Sequence, residues 1–431
     1  MNKSTQTTTS QKTEQPITSM VSSDGILYEL LYDSKNMKSS LIQYKKGHSC
    51  IQNSFTEKGN QIITPYSPHN PLLSQKLILF PEKIEEYGDE GKLLTEIQSF
   101  IHRYVDVTET FELVATYYVL LSWVFDTFNE IPYLKMRGDY GSGKTRFLQT
   151  IGSICYKPIF ASGASTVAPI FHILNQVGGT LILDEGDFRF SDEKTDIAKI
   201  LNNGNAKGFP VLRCEKINQR EFAPKAYNVY GPKIITSRND YEDRALESRF
   251  ISENAGLRKV RKEIPITLPP SFHDEALELR NKLLLWRFHN FHKKRSPQEF
   301  IDSGIDQRLN QIYTPLLSLV SDKKIRDEIM SVAKEHNAQI RSDRGLQIEA
   351  DVLWAIKQCA QRSQKQISIK QITEIFSSQF SSNYDHRISP KWIGSVVRKK
   401  LRLSTRKSNG LYVLGENQKE TLERLYAKYD L

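Results

Sequence analysis

YLKMRGDYGSGKTRFLQTIG, residues 133–152, decides how this chain is read. Its first part is apolar and strand-like, its middle is rich in glycine, and its last part carries apolar residues at helical spacing. Within it GDYGSGKT (138–145) matches G-x-x-x-x-G-K-[S/T], with the strand before and the helix after that this pattern needs. Gly138, Gly141 and Gly143 let the backbone curl until its N–H groups and the helix N-terminus face a phosphate chain; Asp139, Tyr140 and Ser142 complete the loop. Lys144 places a point charge on the β- and γ-phosphates, and the Thr145 hydroxyl ligates Mg²⁺. The implied ligands are ATP and Mg²⁺. A chance glycine-rich turn is the plain alternative, and the flanking strand and helix argue against it.

Forty residues on, GGTLILDEGDF (178–188) runs an apolar strand into Asp184 and Glu185. Acids at that point stand at the C-terminal edge of a parallel sheet, where ligands of open α/β sheets bind. Asp184 can hold Mg²⁺ through its water shell, and Glu185 can polarise an attacking water. A strand end that merely turns polar is the competing reading. A general base also separates hydrolysis from passive nucleotide binding. PKIITSR (232–238) brings Thr236 and Ser237 to the same edge, where a hydroxyl could sense the γ-phosphate or orient the water. In DRALESRF (243–250), Arg249 stands one turn past Arg244 and could reach a neighbouring subunit's γ-phosphate. A surface ion pair with Glu247 or Glu242 is its other use.

Around these segments, strands YLKMRG, PIFASG, TLILDE and PKIITSR alternate with helical stretches, which predicts an α/β fold with a parallel sheet. PVLRCEKINQREFAPKAYNVYG (210–231) interrupts the alternation as a hairpin before the fourth strand. The predicted organisation is a disordered tail (1–20), a β-rich region (21–82), a helical linker (83–130), the nucleotide-binding core (131–265), a helical lid (266–342), a winged-helix domain (343–415) and a C-terminal helix (416–431). The winged helix rests on three short helices followed by LSTRKSNGLYVLG, a ribbon turning at Asn409-Gly410.

A chain of 431 residues suggests two or three domains. Sixty Lys plus Arg against 50 Asp plus Glu leave a formal charge of +10, which favours a polyanionic partner over a merely solvated basic surface. The four cysteines lie far apart without a C-x-x-C pair, against a disulfide framework or zinc cluster and for a reducing compartment. The longest apolar run, YYVLLSWVF (117–125), is far short of the ~20 residues of a membrane span. The start lacks an apolar core of signal type. The expected location is cytoplasmic.

The phosphate loop, LILDE, the hairpin before the fourth strand and LESRF together resemble the AAA+ ATPases, over roughly residues 92–415. Within them the chain is similar to the pre-sensor-1-hairpin group of the minichromosome-maintenance helicases. It is more similar to helicase-like ATPases of plasmids, phages and staphylococcal cassette elements. The resemblance implies a P-loop AAA+ fold and ATP hydrolysis between subunits of a homo-oligomeric, hexamer-type ring. Arg249 then matches the Arg of the family's S-R-F pattern, and Arg308 stands where relatives place a sensor-2 arginine, with an exposed helical Arg as the alternative. IITSRN departs from the ATN-type sensor of many relatives, so sensor 1 is divided between Thr236 and Ser237, with Asn239 a third candidate. The resemblance also sends the hairpin into a central channel to grip DNA, with Lys216 and Arg220 flanking its tip.

Between His386 and Gly410 there are eight Lys or Arg and no acid, among them Lys391, Arg398, Lys399, Lys400, Arg402, Arg406 and Lys407. On a winged helix these fall on the third helix and the wing, the parts that meet a duplex. Protein binding is the competing use of such a domain. The reading is an ATP-hydrolysing DNA motor, a ring-forming helicase or translocase of a mobile element. An initiator or loader that uses ATP as a switch on duplex DNA is the first alternative. A regulatory NTPase with a protein-binding winged helix is the second.

Overall fold

The computed structural model of the chain describes residues 14–57, 61–162, 166–184, 192–216, 222–241, 243–256, 259–345, 348–362, 366–380, 388–415 and 418–431, with backbone alone over 192–195 and 341–345. These fall into two units, Met1–Met330 and Ser331–Leu431.

The first unit opens with short β-type runs: β1 (Glu14–Ile17), β2 (Ser19–Val21), β3 (Leu27–Asp33), β4 (Lys38–Lys45), β5 (His48–Gln52), β6 (Phe55–Thr56) and β7 (Ile62–Pro65). β2-β3-β4-β5 form an antiparallel sheet, and β1-β7-β6 a second sheet in which β1 and β7 run parallel. A short helix, α1 (Pro71–Ser74), follows. α2 (Glu90–Tyr104) and α3 (Glu109–Val124) are capped by Asp89 and Thr108, whose side chains accept from the backbone N–H groups of Lys92 and Phe111. α3 is buried at every residue from Val114 to Val124, as an interior helix with no polar face must be.

The alternating region then runs β8 (Tyr133–Arg137), α4 (Lys144–Gly152), β9 (Pro158–Ser162), α5 (Val167–Val177), β10 (Thr180–Asp184), α6 (Asp192–Asn203), β11 (Val211–Lys216), β12 (Phe222–Tyr227), β13 (Lys233–Ser237), α7 (Arg244–Glu247) and β14 (Phe250–Asn254). Five strands form one parallel sheet in the order β14-β8-β13-β10-β9. Parallel pairing collects the C-terminal ends of all five at one edge. The sequence reading closes this series at β13. FISEN adds the fifth strand, β14, because Phe250 and Ile251 are buried beside β8. β11 and β12 pair with each other in a separate hairpin.

One hydrophobic core joins Leu30, Leu41 and Ile63 of the N-terminal sheets to Ile159, Leu181 and Ile235 of the central sheet. Ile78 bridges to Ile159, so the β9 edge is partly covered. α8 (Ser271–Asn290) ties the two regions together through charge. Arg287 Nε donates to Glu29 Oε1 on β3 at 2.8 Å, and its two terminal nitrogens donate to the Asp126 carboxylate at 2.9 and 2.7 Å. Tyr156 Oη donates to both Glu29 oxygens, at 2.8 and 2.9 Å. Lys157 Nζ lies 4.0 Å from Glu29, and burial pushes its ammonium down to about 8. Glu29→Ala is expected to cost about 3–5 kcal/mol, since it leaves the buried Lys157 ammonium without its ion-pair partner and Arg287 with Asp126 alone. Urea unfolding that shows no loss would refute this role.

α9 (Gln307–Leu317) and α10 (Lys323–Gly345) follow, the latter crossing into the second unit. There α11 (Ile348–Arg362), α12 (Ile369–Phe380) and α13 (Pro390–Ser395) enclose a core with Val352, Ile356, Ile372, Phe376 and Val397. α13 continues as a π-turn over Val396–Lys400. β15 (Thr405–Ser408) and β16 (Leu411–Leu414) make an antiparallel ribbon that turns at Asn409 and Gly410, both at positive φ. α14 (Lys419–Tyr429) packs Leu422, Leu425 and Tyr429 on the same core. No helix among the described residues is long and apolar enough to cross a membrane.

Candidate nucleotide site

The loop 138–145 leaves the C-terminal end of β8 and enters α4 at Lys144. Gly141 and Gly143 have φ of 76° and 89°, a left-handed backbone that favours glycine, and a Cβ on either would meet nothing within 4 Å. Asp139 and Tyr140 are exposed. Ser142 Oγ donates to the Asp139 carbonyl at 2.8 Å. Lys144 Nζ donates to the carbonyls of Gly138 and Asp139 at 2.7 and 2.6 Å, which holds the ammonium at the neck of the loop.

β13 lies between β8 and β10, so the loop and Asp184 flank its end. Two hydroxyls from different elements converge on that carboxylate. Thr145 Oγ1 donates to Asp184 Oδ2 at 3.0 Å, and Thr236 Oγ1 to Oδ1 at 2.7 Å. Ser237 Oγ donates instead to the Asn239 carbonyl at 2.9 Å. Strand alternation sends neighbouring side chains to opposite faces, so only one of the pair can face Asp184. A hydroxyl and a carboxylate are hard oxygen donors, a set that suits Mg²⁺. Glu185 lies outside the described residues.

Arg249 stands elsewhere. Phe250 is paired with Tyr133, the first residue of β8, and Tyr133 N donates to the Arg249 carbonyl at 3.0 Å. The phosphate loop begins after Arg137 at the other end of that strand, about 13 Å further along. The Arg249 guanidinium donates to Asn205 Oδ1 at 2.9 Å, Asn202 Oδ1 at 2.8 Å and the Ala245 carbonyl at 2.6 Å. Arg308 on α9 donates to the same Ala245 carbonyl at 2.7 Å. Burial, and then the charge of Arg308, hold the Arg249 guanidinium below its usual range. Glu247, the sequence-level candidate partner of Arg249, instead binds Lys135; Glu242 lies outside the described residues.

The cations of the hairpin divide by face. Arg213 pairs with Asp196 at 3.2 Å and Lys225 with Glu215 at 2.9 Å, against α5 and α6. The other face carries Leu212, Cys214 and Lys216 opposite Ala226, Pro224 and Phe222. Leu212 and Phe222 are 69% and 66% exposed, so that face is largely apolar with Lys216 on it. Arg220 lies outside the described residues.

In the second unit Lys391, Arg398, Lys399, Lys400, Arg402, Arg406 and Lys407 are all exposed. They are not equivalent. Lys400 pairs with Glu349 at 3.2 Å, an acid that lies outside the acid-free stretch. Arg398 lies over the Tyr412 ring and reaches Thr405 Oγ1 at 3.5 Å, which ties the π-turn to the ribbon.

No protein-family profile and no curated protein matches the chain. Among solved structures it is similar to "SCCmec type IV Cch - active helicase", with 13% identity, 95% of this chain and 80% of the other covered, and a TM-score of 0.43. It is also similar to the apo C-terminal region of NrS-1, with 10% identity, 90% and 95% covered, and a TM-score of 0.37. The ORC1 protein of Aeropyrum pernix in complex with DNA follows, with 13% identity, 78% and 96% covered, and a TM-score of 0.23. Each is a loose likeness.

Proposed function

We propose that the chain is an AAA+ ATPase that hydrolyses ATP at interfaces between its own copies and uses the energy on DNA. The observation that carries this is the Asp184 carboxylate held between Thr145 and Thr236 beside the phosphate loop. Lys144 serves the β- and γ-phosphates, Thr145 and Asp184 hold Mg²⁺, and Glu185 takes the proton of the attacking water. Bound Mg²⁺ neutralises charge on the phosphates. Thr236, placed on the remaining Asp184 oxygen, is the sensor at the end of β13. Arg249 is far from its own loop along β8, which supports a finger that serves another copy. Arg308 shares its carbonyl anchor and acts with it.

The second unit is read as a winged helix, with α13 and its π-turn as the groove helix and β15–β16 as the wing. Lys399, Arg402, Arg406 and Lys407 would then bind backbone phosphates. Replacing these four by Ala is expected to flatten the slope of log affinity for duplex DNA against log salt, by up to ~0.9 for each phosphate no longer neutralised. Lys400→Ala, whose side chain already faces Glu349, should change the slope less. An unchanged slope in the fourfold variant would point to protein binding.

The favoured finer reading is a ring-forming helicase or translocase of a mobile element, as the sequence resemblance suggests. One observation favours the initiator or loader instead: Arg213 and Lys225 are spent on Asp196 and Glu215, which leaves the outer face of the hairpin's described residues largely apolar. Electron micrographs with an ATP analogue and forked DNA separate the two. A ring threaded by one strand is the motor; a monomer on duplex is the initiator.

A further inference from the structure

Lys135 lies in the middle of β8 between Leu134 and Met136, and its side chain is fully buried. An apolar residue would fill that position without the desolvation of an ammonium. What the ammonium holds is specific. Its Nζ contacts Asp240 Oδ1 at 3.3 Å and Glu247 Oε1 more closely. Asp240 stands three residues beyond the end of β13, and its other oxygen binds Arg137, the residue before the phosphate loop. Glu247 closes α7, and its second oxygen accepts from Tyr241 N at 2.9 Å. The rings of Tyr241 and Phe250 flank the ammonium at 5.1 and 5.4 Å. Lys135 and Arg137 hold the Asp240 carboxyl below its usual range, although burial alone would raise it.

We propose that Lys135, through Asp240 and Glu247, is the positioning residue that sets Arg249 and Arg308 for the nucleotide of a neighbouring copy. This rests on the reading of Arg249 as a finger acting in trans. The mechanical link is short. Glu247 fixes the end of α7, Ala245 in the same helix offers the carbonyl that both arginines share, and Arg249 follows two residues after Glu247. A shift of α7 relative to β8 displaces both guanidinium groups at once. A buried ion pair of this kind adds little to stability compared with an apolar pair.

The test uses Glu247→Gln and, as an apolar replacement that removes both charges, the double variant Lys135→Met/Glu247→Leu. Each should bind an ATP analogue with the affinity of the unaltered protein. Each should lose ~10²-fold in turnover, part of the ~10³–10⁵ that a finger supplies. Mixing either with Lys144→Ala, which has a dead pocket but an intact hub and finger, should restore part of that loss once subunit exchange is shown by differently tagged copies. A purely structural lesion would not be repaired by a neighbour. The inference is overturned if analogue affinity falls with turnover in both variants. It is equally overturned if Arg249→Ala recovers on mixing while the hub variants do not. If Arg249→Ala itself fails to recover, the finger reading falls and takes this inference with it.

Discussion

Lys144→Ala is expected to end ATP turnover and to weaken nucleotide binding. The ammonium sits at the neck of the loop on the Gly138 and Asp139 carbonyls. No other cation of the loop can replace it, since Asp139, Tyr140 and Ser142 bring none. Removing one preorganised donor from a site where charge develops costs on the order of 10²–10³ in rate, and a full positive charge should exceed that. Glu185→Gln forms the paired experiment. It should retain nucleotide and stall hydrolysis, because an amide cannot accept the proton. Equal steady-state phosphate release by Glu185→Gln and the unaltered protein would remove Glu185 from the mechanism.

Arg249→Ala should bind ATP normally and hydrolyse almost none, a loss of ~10³–10⁵ if the residue is a finger. Its position makes the prediction directional. Arg249 precedes the strand paired with the start of β8, whereas its own phosphate loop leaves the far end, so the two do not meet within one copy. In a mixture with Lys144→Ala, an intact pocket on one subunit meets an intact Arg249 on the other, and activity should partly return. The bonds to Asn202, Asn205 and Ala245 then hold the guanidinium ready on its own subunit. No return at any ratio, with subunit exchange demonstrated, would mean that Arg249 only braces α7 against α6.

The phosphate loop was legible because its determinants are local: three glycines, a lysine and a threonine within eight residues. The parallel sheet was legible for the same reason, as apolar runs alternating with helical ones. What escaped depends on partners remote in the chain. Thr236 and Ser237 are equal candidates until the orientation of β13 beside Asp184 is known. β14 hides in the five residues after Arg249, too short and too polar at Ser252, Glu253 and Asn254 to announce a strand. Counting hairpin cations overlooks Asp196, seventeen residues before Arg213, just as counting those of the third helix overlooks Glu349 beside Lys400. Lys135 carried a faint signal, a charge between the apolar Leu134 and Met136, but nothing in YLKMR names Asp240 or Glu247 as its partners.

The Glu29–Arg287 bond spans 258 positions of the chain. During synthesis β3 therefore emerges long before Arg287, the nearer of the two cations on its buried carboxylate. At ~5–20 residues per second, the wait is on the order of ten seconds to a minute. Until β9 and β10 have emerged the N-terminal strands lack the apolar surface of the central sheet, and until α8 has emerged they lack Arg287. The nascent chain thus presents sticky strands at the ribosome exit before they can be buried, and its yield in cells should depend on a chaperone that occupies them until α8 has emerged.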